Sequence, residues 1–420
     1  MKKLSHLGKL ITCGVFAMAC NTALGDTDLL IAPSCFMEMN KFDHKTLATN
    51  KSLVLFQVDS QYFSEKLLTI KHTKVCGKFI NAHDDWENYI KKNKLTTQQI
   101  TSTDYQNFFS EYQSNIEQNL KNKTPFSPIS SNSLNNNGDK EELIKNLIDQ
   151  VNNGRAWSKL KILTNFYNRG AKTDNGVQAA AKIRSWVEEM AKKNNKTAQQ
   201  FSIEYVYNKS SSYKQPSVVA ILGKDLPGNP IVIGAHMDTL DQGRMPGADD
   251  DGSGSAAVLE VARVLFDSQH KFTRPIYLIW YSAEEAGLVG SKSVVPYLTA
   301  KNIKFDSVLN LDMVGTKARN NDPAMWFLDD NVDMELTNYL IGLVKQYLNI
   351  PTKFTRCGYG CSDHATWYDA GIPSAAGFES AFDDMNSYIH TENDGLQHVS
   401  IEWLTTFSKM ALAFAGDKAG

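Results

Sequence analysis

The chain has 420 residues, of which 42% are hydrophobic and 21% charged, with 44 Lys and Arg against 46 Asp and Glu. This is the composition of a globular protein that is long enough for one large domain and a smaller one. A formal net charge of −2 provides no strong positive field, which argues against nucleic acids and anionic membranes as partners.

The first 25 residues have the pattern of a secretory signal peptide. MKKLSHLGK carries three lysines, LITCGVFAMAC is a short apolar core, and ALG places small residues before a cleavage position after Gly25. The apolar core is shorter than the ~20 residues that a membrane helix requires. We therefore expect export through the Sec pathway to the periplasm or the extracellular space, without stable membrane insertion.

Residues 26–138 differ in composition from the rest of the chain. They are rich in Lys, Asn, Gln, Phe and Tyr and contain the strand-like piece SLVLFQV. They lead into TPFSPISSNSLNNNGDK, whose Ser, Asn and Pro content is typical of an exposed linker. We expect a small N-terminal α+β unit, followed by a larger domain over residues 139–420.

The cysteines are consistent with an oxidising compartment. Four remain once the leader is removed: Cys35, Cys76, Cys357 and Cys361. An even number in an exported chain predicts two disulfides. Pairing by region favours Cys35–Cys76 and Cys357–Cys361, although the sequence alone allows three connectivities.

The chain from residue 139 onward alternates helical and strand patterns. Apolar spacing predicts a helix in NGVQAAAKIRSWVEEMAKK, and compact apolar runs predict buried strands. The predicted strands are 217–222, 230–236, 275–282 and 306–314. Further helices are predicted at 253–268, 291–300 and 333–348, and a last one begins at Ser400 and ends at Gly416. Buried strands joined by crossover helices predict an α/β fold with a mostly parallel central sheet flanked by helices.

Histidine and acidic residues gather where these strands end. The set consists of His236, Asp238, Asp250, Glu284, Glu285, Asp312 and His390. Ligands of open α/β sheets bind at the carboxyl ends of the strands, and imidazole and carboxylate groups are zinc ligands. Two histidines and three carboxylates, one of them shared, can hold two metal ions about 3.5–4 Å apart. One of the adjacent glutamates would then bind metal while the other performs acid–base chemistry.

Six motifs make a family resemblance specific. GAHMDT, PGADDDGSG, YSAEEAGLVGS, NLDMVG, CGYGCSDHATW and YIHTENDGL follow one another over about 231–396. Together they resemble the M28 family of dinuclear zinc aminopeptidases, the secreted bacterial leucyl type. The resemblance implies a phosphorylase/hydrolase-like zinc-peptidase fold and two zinc ions per chain. It also implies a monomeric enzyme that hydrolyses the N-terminal bond of peptides with a free α-amine.

The resemblance also implies a role for each residue at the strand ends. The metal ligands are His236, Asp250, Glu285, Asp312 and His390, with Asp250 bridging both ions and followed by a cis peptide. Glu284 corresponds to the general base, which takes a proton from water and returns it to the leaving amine. Asp238 corresponds to a carboxylate that orients His236.

A substrate pocket is implied in the same way. Its walls correspond to Met313, Tyr359, Phe378, Phe382 and Ile389, beside a Cys357–Cys361 disulfide, and favour apolar or aromatic first residues. The sequence departs from the family where Ala376 and Gly377 replace a bulky residue, and where Asp383 and Asp384 follow Phe382. These departures predict a roomier or more acidic pocket that also accepts Lys or Arg.

Three remaining acid or imidazole groups receive structural interpretations. Asp249 is interpreted as a helix cap, and Asp363 and His364 as local structural hydrogen-bonding groups. Because relatives carry a segment that is cut away, residues 26–138 are interpreted as a propeptide. The alternative is a permanent substrate- or surface-binding module.

Other functions on the same fold remain as alternatives. They are a carboxypeptidase, a single-zinc glutaminyl cyclase and a catalytically inactive binding module. Metal stoichiometry distinguishes the cyclase, and assays on substrates with blocked and free N-termini distinguish the carboxypeptidase. Loss of metal-ligand residues would mark the inactive binding module.

Overall fold

The structure, a computed structural model, describes residues 27–50, 53–59, 62–63, 79–96, 99–123, 137–317 and 322–420. The predicted leader, most of the predicted linker and Cys76 lie outside these residues, so the Cys35–Cys76 pairing stays a prediction. The last four residues of the linker motif, 137–140, belong to a helix instead. Within the described part of the chain, no helix is both long and apolar enough to cross a bilayer.

Residues 27–123 form an N-terminal unit around a four-stranded antiparallel sheet of order β2-β3-β1-β4. Its strands are β1 Thr27–Pro33, β2 Lys45–Thr49, β3 Leu53–Asp59 and β4 Ile80–Asn81. Its helices are α1 Ser34–Met39, α2 His83–Asn93 and α3 Ser102–Lys121. Successive β1 side chains alternate between two apolar clusters, with Leu29 packed near Trp86 and Leu30 near Phe36. Both faces of this small sheet are thus covered.

Residues 137–420 form a C-terminal unit around an eight-stranded sheet of order β11-β10-β12-β9-β7-β8-β6-β5. The strands are β5 Phe201–Val206, β6 Ser217–Leu222, β7 Ile231–His236, β8 Ile276–Tyr281, β9 Ser307–Leu311, β10 Met325–Leu328, β11 Thr352–Thr355 and β12 Ser374–Phe378. The central strands β9, β7 and β8 run parallel, as do two further pairs. The predicted α/β fold with a mostly parallel sheet is confirmed, and β5, β6 and β10 supply its antiparallel pairings.

Helices cover both faces of the large sheet. They are α4 Asn137–Asp149, α5 Asn153–Leu163, α6 Asp174–Lys193, α7 Gly252–Asp267, α8 Val289–Thr299, α9 Met334–Leu343, α10 His364–Asp369 and α11 Ile401–Ala419. A π-helical turn, Val344–Leu348, continues α9. The last helix begins as predicted, with Ser400 accepting a hydrogen bond from the Trp403 amide, but it extends to Ala419 rather than ending at Gly416.

Helix α7 positions the centre of the molecule. Fourteen of its residues are buried, because it lies between the sheet and helices α5, α6 and α11. At its start, a side chain on Gly254 would meet the Leu311 carbonyl oxygen at 2.0 Å. Glycine therefore allows the helix N-terminus to approach the carboxyl end of β9.

Candidate metal centre and active site

The ends of three neighbouring parallel strands bring the predicted residues together. His236 is the last residue of β7, Asp312 follows the last residue of β9, and Glu284 lies three residues beyond β8. Asp250 comes from the loop before α7, and His390 from the loop between β12 and α11. Parallel strands end at one edge of a sheet, so residues distant in sequence converge there.

Their side chains form two groups that share Asp250. In the first, His236 Nε2 lies 3.1 Å from Asp250 Oδ1 and 3.6 Å from Asp312 Oδ1. In the second, His390 Nε2 lies 3.0 Å from Asp250 Oδ2 and 2.9 Å from Glu285 Oε2. Within each group, the three ligand atoms all lie within 4.8 Å of one another. Asp250 thus offers one oxygen to each group, which is the arrangement of a bridging carboxylate.

The backbone around Asp250 is held by residues that the sequence interpretation did not include. Asp250 is joined to Asp251 by a cis peptide bond, as the resemblance implied. The carboxylate of Asp394 accepts hydrogen bonds from the amides of Asp249 and Asp250 at 3.1–3.3 Å. The motif HTENDG contained Asp394, but nothing in that motif indicates which of its polar side chains faces the loop.

The interpretation of Asp249 as the helix cap is wrong. Asp251 is the N-cap of α7 and accepts the Gly254 amide at 2.8 Å. Asp249 instead accepts the Gly315 amide at 3.1 Å, so its carboxylate is directed to the segment that follows β9 and not to the start of the helix.

Asp238 links His236 to the adjacent glutamates. Its two oxygens accept the amides of Glu284 and Glu285 at 3.0 and 3.2 Å. Its Oδ1 also lies 3.5 Å from His236 Nδ1, the ring nitrogen other than the one that faces Asp250. One buried carboxylate therefore fixes the orientation of the imidazole and of the main chain that carries both glutamates.

The electrostatics of the cluster favour a cation. Burial alone would lower the pKa of His236, but Asp312 and Glu284 raise it well above its usual value. Burial alone would raise the pKa of Asp250, but hydrogen bonds from both histidines hold it well below its usual range. Burial, reinforced by Asp312, raises the pKa of Asp251 far above normal. Carboxylates outnumber imidazoles here, so a bound cation would neutralise the excess negative charge.

Arg169 is a second residue that sequence reasoning missed. Its side chain is fully buried beneath the loop that leads to Asp250. The guanidinium donates to four main-chain carbonyls, those of Leu163, Met237, Pro246 and Gly247, at 2.5–3.3 Å. An arginine at the end of an exposed-looking FYNR run carries no local pattern for this role, because its partners come from another part of the chain.

An apolar pocket opens beside the ligand cluster. It is lined by all five residues assigned to it: Met313, Tyr359, Phe378, Phe382 and Ile389. Ala376 also belongs to its lining. Asp383 and Asp384 do not belong to its lining, and Asp383 is exposed. The expectation that they make the pocket acidic is therefore wrong, because the main chain turns their side chains away from it.

One wall of the pocket is tied by a disulfide. Cys357 and Cys361 are bonded, and Tyr359 lies in the short loop between them. Asp330 accepts the amides of Cys357 and Gly358 at 3.1 and 2.8 Å. The loop that carries Tyr359 is thus fixed at both ends and in its main chain.

His364 does not make the structural hydrogen bonds expected of it. It is completely buried and lines the apolar pocket. Neither ring nitrogen has a hydrogen-bond partner among the described residues. Burial lowers the pKa of His364 to about 4, so the ring is neutral at physiological pH.

The N-terminal unit lies against the same edge of the large sheet. A small cavity lies between the two units beside the ligand cluster. Phe63 and Phe79 line its N-terminal side, and Asp238 and Glu285 line its C-terminal side. The N-terminal unit thus covers one approach to the cluster, opposite the apolar pocket.

The chain is similar to known proteins in both sequence and fold. The family described as peptidase family M28 matches residues 217–415. The LapA aminopeptidase of Legionella pneumophila is 36% identical, with a TM-score of 0.79 over 94% of this chain and 98% of its own. LapB of the same organism is 33% identical, with a TM-score of 0.78 over 93% and 99% of the two chains. A probable leucine aminopeptidase of Arthroderma otae is 30% identical over 289 residues, which are 66% of this chain and 75% of that protein.

Three observations lead to one conclusion. They are a family match over the parallel sheet, two solved relatives of nearly full length and a ligand cluster at the strand ends. The chain belongs to peptidase family M28, and it is a metallo-aminopeptidase.

Proposed function

We propose that this protein is an exported, monomeric aminopeptidase that uses two zinc ions to remove apolar or aromatic residues from peptide N-termini. The observation that carries the proposal is the pair of ligand groups that share Asp250. One group would use His236 and Asp312, and the other Glu285 and His390. Each group combines imidazole and carboxylate donors, which is the donor set of catalytic zinc.

The residues fit two ions without rearrangement of the main chain. Donor atoms within one group lie 2.9–3.6 Å apart where measured. Zinc–ligand bonds of about 2.0–2.2 Å in tetrahedral geometry separate neighbouring donors by a similar distance. When bound, zinc would supply a Lewis acid for the scissile carbonyl and a binding point for the substrate's free α-amine.

Glu284 is assigned the acid–base role. It is buried at 3% exposure and is absent from both ligand groups, and its Oε2 lies 4.0 Å from His236 Nε2. A carboxylate at this distance from the ligands can take a proton from the attacking water and deliver it to the leaving amine. Asp238 keeps the main chain of Glu284 in place while this happens.

The apolar pocket supports the preference for the first residue. Met313, Phe378 and Phe382 give it apolar walls, and the small side chain of Ala376 belongs to the same lining. Among the described residues of its lining, none is a lysine or arginine. A carboxypeptidase would need such a cation for the substrate carboxylate.

The N-terminal unit is proposed to be a propeptide that is released by cleavage between residues 124 and 136. Its placement over the cavity beside Glu285 supports an inhibitory role. The Asn81 amide donates to the Gly287 carbonyl at 3.1 Å, only two residues from Glu285. The leader pattern in residues 1–25 supports export.

A panel of aminoacyl-nitroanilides tests the proposal. The secreted enzyme should hydrolyse leucyl, phenylalanyl and tyrosyl substrates. Chelation should abolish turnover, and two equivalents of zinc should restore it. N-acetylated substrates should be inert, because the free α-amine is blocked. Restoration by a single equivalent of zinc would contradict the two-zinc proposal, and hydrolysis of blocked substrates would contradict the requirement for a free α-amine.

N-terminal sequencing tests the propeptide separately. The secreted active form should begin between residues 125 and 136. An enzyme that begins at Asp26 with full activity would show that the N-terminal unit is permanent.

A further inference from the structure

The apolar pocket has one polar wall, which its proposed apolar preference does not use. Most of the lining is aliphatic or aromatic. Apart from the ligand carboxylates of Asp250 and Asp312, the polar side chains of the lining include Ser362 and His364. Both belong to the stretch that leads from the disulfide loop into α10, so a single short segment supplies this wall.

The strand register places this wall beside β9 and β12. Ala376 lies opposite Asn310, and Ser374 lies two residues before it in β12. The His364 carbonyl accepts the Ser374 hydroxyl at 2.7 Å, and Ser362 Oγ accepts the Asn310 amide side chain at 2.9 Å. Asp250 and Asp312 belong to the same pocket lining. A substrate side chain that fills the pocket from the metal cluster would therefore lie beside Ser362 and His364.

His364 has hydrogen-bonding capacity that the described protein does not satisfy. Its side chain is completely buried, and both ring nitrogens lack a partner among the described residues. A neutral imidazole offers one N–H donor and one acceptor nitrogen. Leaving such a buried group unsatisfied is unfavourable, so a ligand group that supplies the missing bond is favoured over one that does not.

We propose that His364 hydrogen-bonds the polar end of the substrate's first side chain, and that the enzyme selects N-terminal tyrosine over phenylalanine. This inference rests on the proposed aminopeptidase function and on the assignment of the pocket to the first residue. It adds His364, as a polar specificity determinant, to the apolar contacts of the pocket walls.

Tyrosine matches the pocket in shape and in chemistry. Phe378 and Phe382, whose rings are 5.8 Å apart, provide aromatic contact along the wall. Ala376, a small residue, belongs to the same lining. A phenolic hydroxyl both donates and accepts, so it can satisfy either tautomer of a neutral imidazole. Lysine and arginine fit less well, because a neutral ring and a buried apolar wall do not compensate a desolvated cation.

Relative rates on matched substrates test the inference. For the wild-type enzyme, kcat/KM for tyrosyl-nitroanilide should exceed that for phenylalanyl-nitroanilide by about tenfold or more, since one hydrogen bond to an otherwise unsatisfied group is at stake. In His364→Leu, the ratio should fall to about one or below, with the loss confined to the tyrosyl substrate. His364→Gln keeps a donor and an acceptor and should retain part of the preference.

The controls separate specificity from damage to the site. Met385→Leu changes an apolar residue of the same pocket and should alter both rates together while leaving their ratio unchanged. Zinc content and the melting temperature of each variant should match the wild type. If wild-type enzyme with two zinc ions cleaves neither substrate, the proposed function fails rather than this inference.

Two results would overturn the inference. One is a wild-type ratio of one or less, which needs no variant. The other is an unexpected result from a variant whose fold and metal content are intact. It would be an active His364→Leu enzyme that keeps a wild-type tyrosyl-to-phenylalanyl ratio above one, or a His364→Gln enzyme that loses all preference for the tyrosyl substrate.

Discussion

Glu284 and Glu285 are neighbours in the chain, but their carboxylates approach different histidines. Glu285 Oε2 approaches His390 at 2.9 Å, whereas Glu284 Oε2 lies nearest to His236, at 4.0 Å. Both residues lie in the turn that connects β8 with α8. Asp238 holds both amides and prevents the main chain from relaxing. The two adjacent carboxylates thus approach different histidines, which is the basis of the ligand and base roles proposed for them.

Replacement of Glu284 by Gln tests this division. The isosteric amide cannot carry a proton from water to the leaving amine, so kcat should fall by about 10²- to 10⁴-fold. Zinc content, measured by atomic absorption, should remain at two per chain. The matched Glu285→Gln variant should instead lose zinc. Undiminished turnover by Glu284→Gln would exclude Glu284 as the base.

Arg169 is expected to contribute to stability and to metal affinity. Arg169→Met removes the donors of four buried carbonyls. The free energy of unfolding should fall by about 3 kcal/mol or more, because each unsatisfied buried group costs about 1–3 kcal/mol. Zinc affinity of the folded protein should also fall, because the loop that carries Asp250 loses its support.

Urea unfolding of the metal-free protein and zinc titration against a chromogenic chelator measure the two effects. Arg184→Met is the control, since Arg184 pairs at the surface with Glu188 and should change stability by about 0.5 kcal/mol or less. Equal effects of the two substitutions would contradict the structural role of Arg169.

At the scale of elements, helix α7 and strand β9 illustrate how the site depends on close approach. Gly254→Ala would place a methyl group 2.0 Å from the Leu311 oxygen and 2.6 Å from the Asp251 carboxylate. Both contacts are with groups that cannot move without displacing β9 or the cap of α7. We expect a lower melting temperature and weaker zinc binding.

The control for this substitution is Gly342→Ala. Gly342 lies on the exposed face of α9, and a side chain there would meet nothing within 4 Å. Alanine should raise stability by up to about 1 kcal/mol, because it has the higher helix propensity. Thermal unfolding compares the two variants, and destabilisation by Gly342→Ala with none by Gly254→Ala would reverse the expectation.

The strands differ in how far their sequences predict them. Strands β6 to β9 are continuous apolar runs, and their prediction is confirmed to within one to three residues at either end. Strand β12, SAAGF, and the edge strand β11, TKFT, carry too few bulky apolar residues to stand out. Their strand conformation depends on neighbours: β12 fills the space between β9 and β10.

At the scale of the whole molecule, Lys292 joins the two units. Its ammonium group donates to the Asn81 carbonyl at 2.6 Å and to Asp85 Oδ2 at 2.8 Å. The side chain is 17% exposed, so solvent screens this contact only in part. It connects helix α8, directly after the glutamate pair, with the start of helix α2.

Lys292→Ala should weaken retention of the N-terminal unit after cleavage. With a protease site engineered into residues 124–136, cleaved wild type should elute as one species on gel filtration. The variant should release the N-terminal unit, with affinity reduced about 5- to 30-fold, because loss of a partly buried charge partner costs roughly 1–2 kcal/mol. Lys301→Ala, which breaks the exposed pair with Glu204, should elute like wild type; release from both variants alike would contradict the role of Lys292.

The same interface is expected to depend on pH through Asp369. Burial raises the pKa of Asp369 from its ordinary value near 3.8 to about 6, although Lys292 opposes the shift. The folded protein therefore binds this proton more tightly than the unfolded chain does. The free energy of unfolding should fall as pH rises from about 4 to 6 and then level off as far as this group is concerned.

Asp369→Asn removes this titration. The melting temperature of the variant minus that of the wild type should increase between pH 4 and pH 6. Above pH 6 this difference should stay constant. Taking the difference between two proteins cancels the other carboxylates. A difference that is flat from pH 4 to 7 would show that Asp369 has no raised pKa in the folded protein.

The sequence by itself determined the family, the α/β class and the residue types at the strand ends. It could do so because buried parallel strands are apolar throughout and because metal ligands must be histidine or carboxylate. The tertiary structure alone decided which side chains face one another. It brought Arg169 under the loop of Asp250 and made Asp251 the cap of α7. It left Asp383 outside the lining of the pocket, and it placed His364 in that lining without a hydrogen-bond partner for its ring among the described residues. These outcomes depend on contacts between segments far apart in the chain, and no local pattern of apolar or polar residues records which distant partner a buried polar group will meet.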